Sequence, residues 1–361
     1  MTFFCRNSMA AIKNVLRTAA TRSISIISSR LFPRLLTKIE PFLKYRAFED
    51  AIRGDVREWS PTTIHAHDLN TLPAAASLAR DVSARIIYDS HELETHRQPP
   101  PPPLRRRFIA RLERSLIKNA ETVITVSDAI ADHLAELYEI ERPLVVRNAP
   151  AELRPSGAPA RPGLRAASDL SERTPLLVYT GAVVFNRGID VVVEALASLP
   201  DCHFAAVGPH HDPTVEKLRA RAVELGVDGR FHLPPAVAPH EVVDFVASAD
   251  IGVIPIIPVT LSYEYALPNK LFEMAFAGLP IVSSNLTEIS KFISAYRLGE
   301  TFPPGDVAAF VDRVNAILMR GEKSRPTTSD VDRMRQEHSW RAQLRILEQA
   351  YRNSGSSDRD G

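Results

Sequence analysis

Short apolar segments alternate with amphipathic ones along this chain, in two series separated by one irregular stretch. This rhythm constrains the fold more than any other feature. Predicted strands occur at 62–66, 84–88, 121–126 and 143–147 in the first series, and at 175–180, 202–207, 229–233, 250–254 and 279–284 in the second. Segments with helical spacing of apolar residues lie between them, which is typical of parallel sheets with helices on both faces. The sequence therefore predicts an α/β protein with two doubly wound domains.

Residues 150–174 are rich in Pro, Ala, Gly, Ser and Arg and lack periodicity, which indicates a linker between the two series. We expect an N-terminal domain at 1–160 and a second domain at 161–330. A helix at 331–352 is predicted to pack back on the N-terminal domain, and a polar, disordered tail is predicted at 353–361. Because ligands of such sheets bind at the carboxyl ends of the strands, the site is expected in the cleft between the domains.

Composition excludes several classes of protein. The 361 residues carry a formal net charge of +1, so the molecule as a whole is not an electrostatic binder of nucleic acid. No apolar run reaches the length of about 18 residues that a membrane-spanning helix needs. Cys5 and Cys202 are far apart in sequence and form no metal or disulfide pattern, which favours a cytoplasmic protein.

The N-terminal stretch departs from this overall balance of charge. Residues 1–48 contain one acid, Glu40, against the basic residues Arg6, Lys13, Arg17, Arg22, Arg30, Arg34, Lys38, Lys44 and Arg46. The helical spacing of apolar residues at 8–20 and 31–53 favours amphipathic surface helices. A transit peptide and a misplaced start of the chain are the alternatives that the sequence leaves open.

The stretch from Leu267 to Val282 contains a helix start at Pro268, a Gly stop and an apolar strand. The free N–H groups and positive dipole end of a helix start suit phosphate, and Lys270 adds a cation there. Glu273 lies one turn further along, where its carboxylate can accept hydrogen bonds from sugar hydroxyls. The alternative is an exposed Lys270–Glu273 pair on the helix surface, worth roughly a few tenths of a kcal/mol.

A second junction between strand and helix, Gly181–Gly188, has the same character. Gly181 permits a tight turn, and Arg187 stands with Gly188 at the start of the predicted helix. An Arg beside free N–H groups suits a pyrophosphate, although an ordinary loop with a solvated Arg has the same sequence. Because both junctions present a cation at a helix start in the same half of the chain, the sequence favours a diphosphate ligand.

Polar residues also follow two strands of the first series. The segment Asp89–Glu92 follows one of them, and His91 is placed there to contact a sugar or to donate to a phosphate. His65 and His67 lie two apart and share a face of the first strand, which permits a metal ion, but no third ligand is evident. Since capping of the next helix by Asp68 or Asn70 explains this segment, no metal site is predicted.

Taken together and in this order, these segments resemble the retaining glycosyltransferases of family 4, the glycosyl transferases group 1, which have the GT-B fold. The resemblance runs from Ile64 to Tyr351. It rests on Ile64–Asp68 with Leu72 and Pro73, Tyr88–Glu92, Thr125–Ser127, Tyr179–Gly188, Pro268–Glu273 and Ala277–Pro280. The family implies a nucleotide-diphosphate sugar as donor, transfer with retention at the anomeric carbon, and no metal or other cofactor.

The resemblance also implies roles for particular residues. Arg187 falls on the family's donor-diphosphate Lys, Glu273 on the Glu that holds the donor ribose, and His91 on the His near the reacting sugar. His91 and Glu273 are therefore the predicted catalytic residues. The other predicted donor-binding residues, beside Arg187 and Glu273, are Gly181, Gly188, Asn269 and Lys270.

Three departures from the family pattern bear on activity. Ala182 stands where the family usually has Arg, and Tyr265 stands where it has the first Glu of a paired motif. Lys270 lies inside that motif and is expected to take over part of the phosphate role. The family's opening strand and Gly-rich loop are not found in residues 1–60, so the first domain is predicted to be shortened at its N-terminus or to carry basic helices instead.

These features predict a glycosyltransferase of polysaccharide biosynthesis that moves a sugar from a nucleotide-diphosphate donor to a glycan or lipid-linked acceptor. The basic residues of 1–48 and 105–107 predict peripheral contact with an anionic membrane, at its inner face. A solvated basic face explains them equally well. Two other functions stay open: a catalytically impaired GT-B scaffold or binding protein, and a nucleotide-sugar 2-epimerase, which the paired motif does not favour.

Overall fold

The computed structural model describes residues 33–150, 163–210 and 212–353. The helix expected at 8–20, the centre of the expected linker and the tail after Asn353 lie outside these residues. The first half contains α1 (Pro33–Trp59), β1 (Thr63–His67), α2 (Asp68–Val82), β2 (Arg85–Ser90), α3 (Pro103–Ile117), β3 (Thr122–Thr125), α4 (Asp128–Tyr138) and β4 (Leu144–Val145). Among the described helices, none combines the length and hydropathy that a membrane span requires.

The second half begins with α5 (Leu164–Ala167), β5 (Leu176–Thr180), α6 (Ile189–Ala195), β6 (His203–Val207), α7 (Pro213–Glu224), β7 (Phe231–His232), α8 (Val242–Val246) and β8 (Ile251–Ile254). It continues with α9 (Leu261–Glu264), α10 (Asn269–Phe276), β9 (Ile281–Ser284), α11 (Thr287–Tyr296), β10 (Gly299–Phe302), α12 (Val307–Arg320), α13 (Thr328–His338) and α14 (Trp340–Asn353).

The two halves form two separate parallel sheets. The strands of the first lie in the order β1-β2-β3-β4, and those of the second in the order β10-β9-β8-β5-β6-β7. Strands β5, β8 and β9 are each buried along their whole length. This burial is typical of parallel strands that have helices on both faces of the sheet. The prediction of two Rossmann-like α/β domains is therefore confirmed.

The second sheet has an apolar core on each face. Leu176 and Val178 belong to one core, and Leu177 and Tyr179 to the other, because successive residues of a strand point to opposite faces. The helices of the second half supply the remaining side chains of both cores. This double cover leaves the carboxyl ends of the strands as the edge where polar residues can face a ligand.

The first sheet is covered differently. One face packs against its own crossover helices through residues such as Leu72, Ile117 and Leu134. On the other face Ile87, Ile124 and Val146 pack with Ala350 of α14 and with its neighbours Ile346, Leu347 and Tyr351. The last helix of the described chain thus covers the second face of the first sheet.

The C-terminal segment consists of two helices where the sequence analysis expected a continuous one over 331–351. Ser339 lies between α13 and α14 in an extended conformation, with φ −60° and ψ 158°, and is buried. The backbone N–H of Trp340 donates to the carbonyl of Pro150 at 3.3 Å. At this point the chain passes from the second domain to the first. The hydrogen bond to Pro150, which lies where the chain leaves the first domain, takes the place of a hydrogen bond within a helix.

Gln343 joins the two chain segments that cross between the domains. Its side chain has no exposed surface. Its Oε1 accepts a hydrogen bond from the backbone N–H of Arg147 at 2.8 Å, and its Nε2 donates to the carbonyl of Glu337 at 3.3 Å. The Gln343 amide therefore supplies hydrogen-bond partners to two backbone groups, one in each of the two chain segments that pass between the domains.

We expect the substitution Gln343→Ala to lower the free energy of unfolding by about 1–3 kcal/mol, because it leaves buried backbone groups without partners. Thermal or urea unfolding measures the loss. The matched control is Gln349→Ala on the same helix, whose side chain is exposed and whose removal should change stability by less than about 0.5 kcal/mol. Equal stability of the two variants would contradict the role given to Gln343.

Candidate active site

The loop after β5 is shaped around the start of α10. Gly181 has φ +111°, in the region that favours glycine, and its N–H donates to the carbonyl of Val207 at 2.8 Å. A Cβ added at Gly181 would lie 3.3 Å from Nζ of Lys270. The backbone of this loop and the Lys270 side chain therefore meet at the carboxyl end of the central strand, as the sequence predicted for a shared site.

Gly188 closes the same loop. It has φ +70°, and a Cβ there would lie 1.7 Å from the carbonyl oxygen of Pro255, so no other residue fits this position. Arg187 precedes it and is half-buried, with its guanidinium carbon 5.1 Å from the ring centre of Tyr263. This cation–π contact holds Arg187 beside the segment that leads into α10.

The side chain of Lys270 is buried. It is 7% exposed, and Nζ lies 3.6 Å from the ring centre of Tyr179. Burial lowers its pKa well below the usual value, the charge of Arg187 lowers it further, and Glu273 opposes both. No carboxylate of the described residues lies within ion-pair distance of Nζ. The expected alternative, an exposed helix-surface pair, is therefore wrong for Lys270, and the site is electropositive at the N-terminal end of α10.

Glu273 lies one turn along α10 and faces the same space. Its Oε2 accepts a hydrogen bond from Oγ1 of Thr180 at 2.5 Å, while Oε1 has no hydrogen-bond partner among the described side chains. Burial raises the pKa of Glu273, and the Thr180 hydrogen bond and Lys270 oppose the rise. Asn269 precedes Lys270 in the first turn and is exposed. A carboxylate oxygen thus remains available beside two cations.

The segment before α10 contacts the first domain. The carbonyl of Tyr265 accepts a hydrogen bond from Oγ of Ser127 at 2.7 Å, and its ring packs against the core of the first sheet. Oγ of Ser262 accepts from the backbone N–H of Leu93 at 3.3 Å. The residues that follow β2 and β3 therefore border the same cleft as α10.

The positions where this chain departs from the family pattern have structural roles. Tyr265 makes the interdomain contact just described. The neighbouring Glu264 accepts hydrogen bonds from the backbone N–H and Oγ1 of Thr287, at 3.1 and 2.7 Å, and so caps α11. Ala182 is exposed, and its carbonyl accepts from the Tyr179 hydroxyl at 3.1 Å. Neither Tyr265 nor Glu264 supplies a carboxylate to the donor side.

On the first domain, His91 follows β2. Its Nε2 lies 2.9 Å from Oδ2 of Asp89, and its backbone N–H donates to Oδ1 of Asp68 at 3.2 Å. The hydrogen bond to Asp89 raises the pKa of His91, against the effect of burial. The ring is 37% exposed, so part of it faces the cleft.

His65 and His67 join the same carboxylate. Oδ2 of Asp89 lies 3.2 Å from Nδ1 of His67 and 3.6 Å from Nε2 of His65. The donor atoms of these three residues lie within 4.8 Å of one another, so Asp89 lies close to both histidines although the sequence showed no third ligand. Asp89 reaches His67 through the register of β1 with β2, which pairs the two residues and which no local pattern indicates.

Comparison with known proteins identifies the family. The model of the glycosyl transferase 4-like domain matches residues 16–151, and the model of the glycosyl transferases group 1 matches residues 174–320. The residues matched by the first model contain the first sheet, and those matched by the second model contain the second sheet. The chain belongs to the GT-B glycosyltransferases.

Individual relatives of this glycosyltransferase are distant. Glycogen synthase of Mycobacterium tuberculosis is 24% identical over 274 residues, which are 73% of this chain and 62% of that protein. The 2-deoxystreptamine N-acetyl-D-glucosaminyltransferase of Streptomyces fradiae is 25% identical over 288 residues, which are 76% of this chain and 66% of that protein. The chain thus spans less than two thirds of the length of these curated relatives.

Solved structures show the same fold. Sucrose-phosphate synthase of Thermosynechococcus elongatus has a TM-score of 0.71 at 19% identity, over 90% of this chain and 80% of that one. HepE of Anabaena, solved with UDP-glucose, has a TM-score of 0.65 at 16% identity, over 86% of this chain and 82% of that one. At these identities the likeness establishes the GT-B architecture and confirms that prediction.

Proposed function

We propose that this protein is a retaining glycosyltransferase of family 4 that transfers a sugar from a nucleotide-diphosphate donor to a glycan or lipid-linked acceptor. One observation carries the proposal. Lys270 is a buried amine without a carboxylate partner among the described residues, and it lies at the start of α10 beside Arg187. The charged form of such an amine costs free energy unless an anion joins it, and a diphosphate supplies that anion.

The proposed reaction develops negative charge on the departing nucleoside diphosphate. Lys270, Arg187 and the N-terminal end of α10 are already in place to stabilise that charge, so the mechanism uses no metal ion. The free carboxylate oxygen of Glu273 binds the ribose hydroxyls. The acceptor hydroxyl attacks the anomeric carbon on the face that the diphosphate leaves, and its proton passes to the departing phosphate oxygen as the bond from that oxygen to the anomeric carbon breaks. His91, on the first-domain side, contacts the reacting sugar.

The relatives support a nucleotide-linked donor. Two of them are a glycogen synthase and a 2-deoxystreptamine N-acetyl-D-glucosaminyltransferase, and HepE was solved with UDP-glucose. Neither the epimerase nor the inactive scaffold has a counterpart among these proteins. We therefore assign donor binding to the second domain, at 161–330, and acceptor binding to the first, at 1–160.

The surface of α3 supports a lipid-linked acceptor at an anionic membrane. Leu104 is 73% exposed, and the three arginines 105–107 that follow it are exposed as well. An apolar side chain beside a cationic cluster suits the interface of an anionic bilayer. Sedimentation with anionic vesicles, compared with neutral ones, tests this part of the proposal, and equal sedimentation with both would contradict it.

The test of donor binding uses the purified protein with UDP, GDP, ADP and dTDP. One of these nucleotides is expected to raise the melting temperature in proportion to the logarithm of its concentration. The corresponding nucleotide sugars are then assayed for transfer to glycan and lipid-linked acceptors. If no nucleoside diphosphate raises the melting temperature, the proposed function is wrong.

We expect Arg187→Ala to weaken nucleoside diphosphate binding roughly tenfold, the loss that goes with about 1.4 kcal/mol. The effect is moderate because Arg187 is only half-buried and its charge is partly screened by water. Isothermal titration calorimetry measures it. The control is Arg219→Ala on α7, an exposed arginine in the same domain, which should bind as the unmodified protein does.

A further inference from the structure

The carboxylate of Asp89 lies close to three imidazole rings. Its Oδ2 lies within 3.6 Å of one ring nitrogen of each of His65, His67 and His91, and its side chain is only 13% exposed. Burial acts to raise the pKa of Asp89, but the three neighbouring imidazole rings outweigh it and hold that pKa well below the usual value. Asp89 is therefore an anion that accepts hydrogen bonds only.

Two further contacts hold this cluster in place. Nδ1 of His65 lies 2.7 Å from the hydroxyl of Tyr351, and the rings of His65 and His67 stack with their centres 4.3 Å apart and an angle of 11° between them. Tyr351 belongs to α14, the helix that returns from the second domain to the first sheet. The C-terminal helix thus contributes a side chain to the cluster at the carboxyl ends of β1 and β2.

The stacking decides between a hydrogen-bonded cluster and a metal site. An imidazole binds a metal ion through a lone pair in the plane of its ring, at about 2.0–2.1 Å. Two rings that stack almost in parallel cannot both direct an in-plane lone pair at one ion. The arrangement of His65 and His67 therefore does not fit joint ligation of one ion.

We propose that Asp89 is the positioning residue of the first domain, and that it holds His91 with Nε2 protonated so that Nδ1 is the atom presented to the sugar. The proposal rests on the proposed function for the identity of the ligand. Because a carboxylate only accepts, the nitrogen of His91 that faces Asp89 at 2.9 Å must carry the hydrogen. Nδ1 of His91 has no hydrogen-bond partner among the described residues, and the ring is partly exposed to the cleft.

This arrangement gives His91 a defined chemistry toward a sugar. In its neutral form, Nδ1 carries a lone pair and accepts a hydrogen bond from a sugar hydroxyl. In its charged form, which Asp89 favours, the same atom donates one to a sugar oxygen. Both forms keep the ring in one orientation, because the bond between Nε2 and Asp89 is present in each. Asp89 thus acts on the sugar through His91.

The first measurement is independent of activity. Long-range ¹H–¹⁵N NMR spectra of the histidine rings distinguish nitrogen that carries hydrogen from nitrogen that does not. In the unmodified protein at a pH where His91 is neutral, we expect its Nε2 to be protonated and its Nδ1 not. In Asp89→Asn, the amide can donate to Nε2, so a substantial shift toward the Nδ1-protonated form is expected. A His91 protonated at Nδ1 in the unmodified protein would overturn the proposal, as would one equivalent of tightly bound zinc.

The second measurement uses transfer activity. We expect Asp89→Asn to lower kcat roughly 30-fold and to leave the Kd of the nucleoside diphosphate unchanged, since that ligand binds to the other domain. Asp132→Asn, an exposed carboxylate on α4, is the control and should not change kcat. The double variant Asp89→Asn with His91→Gln should be no slower than His91→Gln alone, because Asp89 acts only through His91. Additive losses, or an unchanged kcat in Asp89→Asn, would contradict the role of Asp89.

The two measurements separate the two proposals. If no nucleotide sugar is a donor but the NMR spectra show His91 protonated at Nε2, the proposed function fails and the role of Asp89 in orienting His91 stands. If transfer is observed and Asp89→Asn changes neither the spectra nor kcat, the function stands and the role of Asp89 is wrong.

Discussion

Replacing Lys270 with Met is expected to reduce the affinity for the donor nucleotide about 1,000-fold and yet to leave the unliganded protein at least as stable. The loss follows from removing a charge that acts on the diphosphate in a water-poor site, where one such interaction is worth about 3–4 kcal/mol. Stability is retained because Lys270 is 7% exposed and has no carboxylate partner among the described residues, so methionine of similar length removes an uncompensated charge.

Calorimetric titration with the nucleoside diphosphate and melting curves with and without it measure both effects. The control is Lys291→Met, which removes an exposed lysine that pairs with Glu288 and should change neither binding nor stability strongly. A Lys270→Met protein that melts several degrees lower without ligand would show that Lys270 stabilises the fold, and the donor role would lose its main support.

The pKa of Lys270 gives this experiment a pH dependence with a definite sign. The pKa is lower in the folded protein than the ordinary value of 10.5 that the unfolded chain has. Below the folded pKa the charged lysine therefore destabilises the folded state, and this penalty disappears as the pH rises toward 10.5. The gain in melting temperature from Lys270→Met should accordingly be larger at neutral pH than near pH 10.

Replacing Glu273 with Gln is expected to lower kcat/KM for the donor about 100-fold, the loss that goes with about 2.7 kcal/mol for charge-assisted hydrogen bonds to the ribose. Glutamine has the same shape and still accepts the hydrogen bond from Thr180, so the fold should be unchanged. The fall in kcat/KM therefore measures how much the negative charge of Glu273 contributes to the proposed contact with the ribose hydroxyls.

Comparing a nucleoside diphosphate with inorganic pyrophosphate separates the ribose contact from the phosphate contact. Glu273→Gln should bind the nucleotide more weakly and should bind pyrophosphate as well as the unmodified protein, or more tightly, because a carboxylate near Lys270 and Arg187 is gone. Glu194→Gln, a surface carboxylate that pairs with Arg221, is the control. Equal losses for both ligands in Glu273→Gln would assign Glu273 to the phosphates and contradict its ribose role.

Local pattern was sufficient to predict much of the fold and the meeting of the loop after β5 with the start of α10. The period of apolar residues distinguished strands from helices, and Gly181 and Gly188 marked a loop whose backbone conformations require glycine. The spacing of Lys270 and Glu273 places both on one face of a helix, since residues three apart are neighbours on a helix. These features depend on interactions between residues that are close in the sequence, so local sequence pattern is sufficient to predict them.

Contacts between distant segments decided the rest. The burial of Lys270 depends on Tyr179 and on the loop at Gly181, about 90 residues earlier in the chain. The break at Ser339 follows from the place where the chain crosses between domains. The segment after β9, for which the sequence analysis made no prediction, forms α11 and β10, and the sheet edge that β10 occupies is specified only by its partner β9.

The histidine cluster around Asp89 shows most clearly which features local pattern predicts and which depend on contacts between distant segments. The sequence by itself placed His65 and His67 at the end of one strand and His91 after the next strand, and it predicted that His91 faces the ligand. Only the tertiary structure joined His65 and His67 to Asp89, through the register of β1 with β2, and brought Tyr351 of the last helix to His65. Strand register and helix docking are set by packing over the whole domain, so no local pattern in the chain specifies that one carboxylate lies close to three histidines.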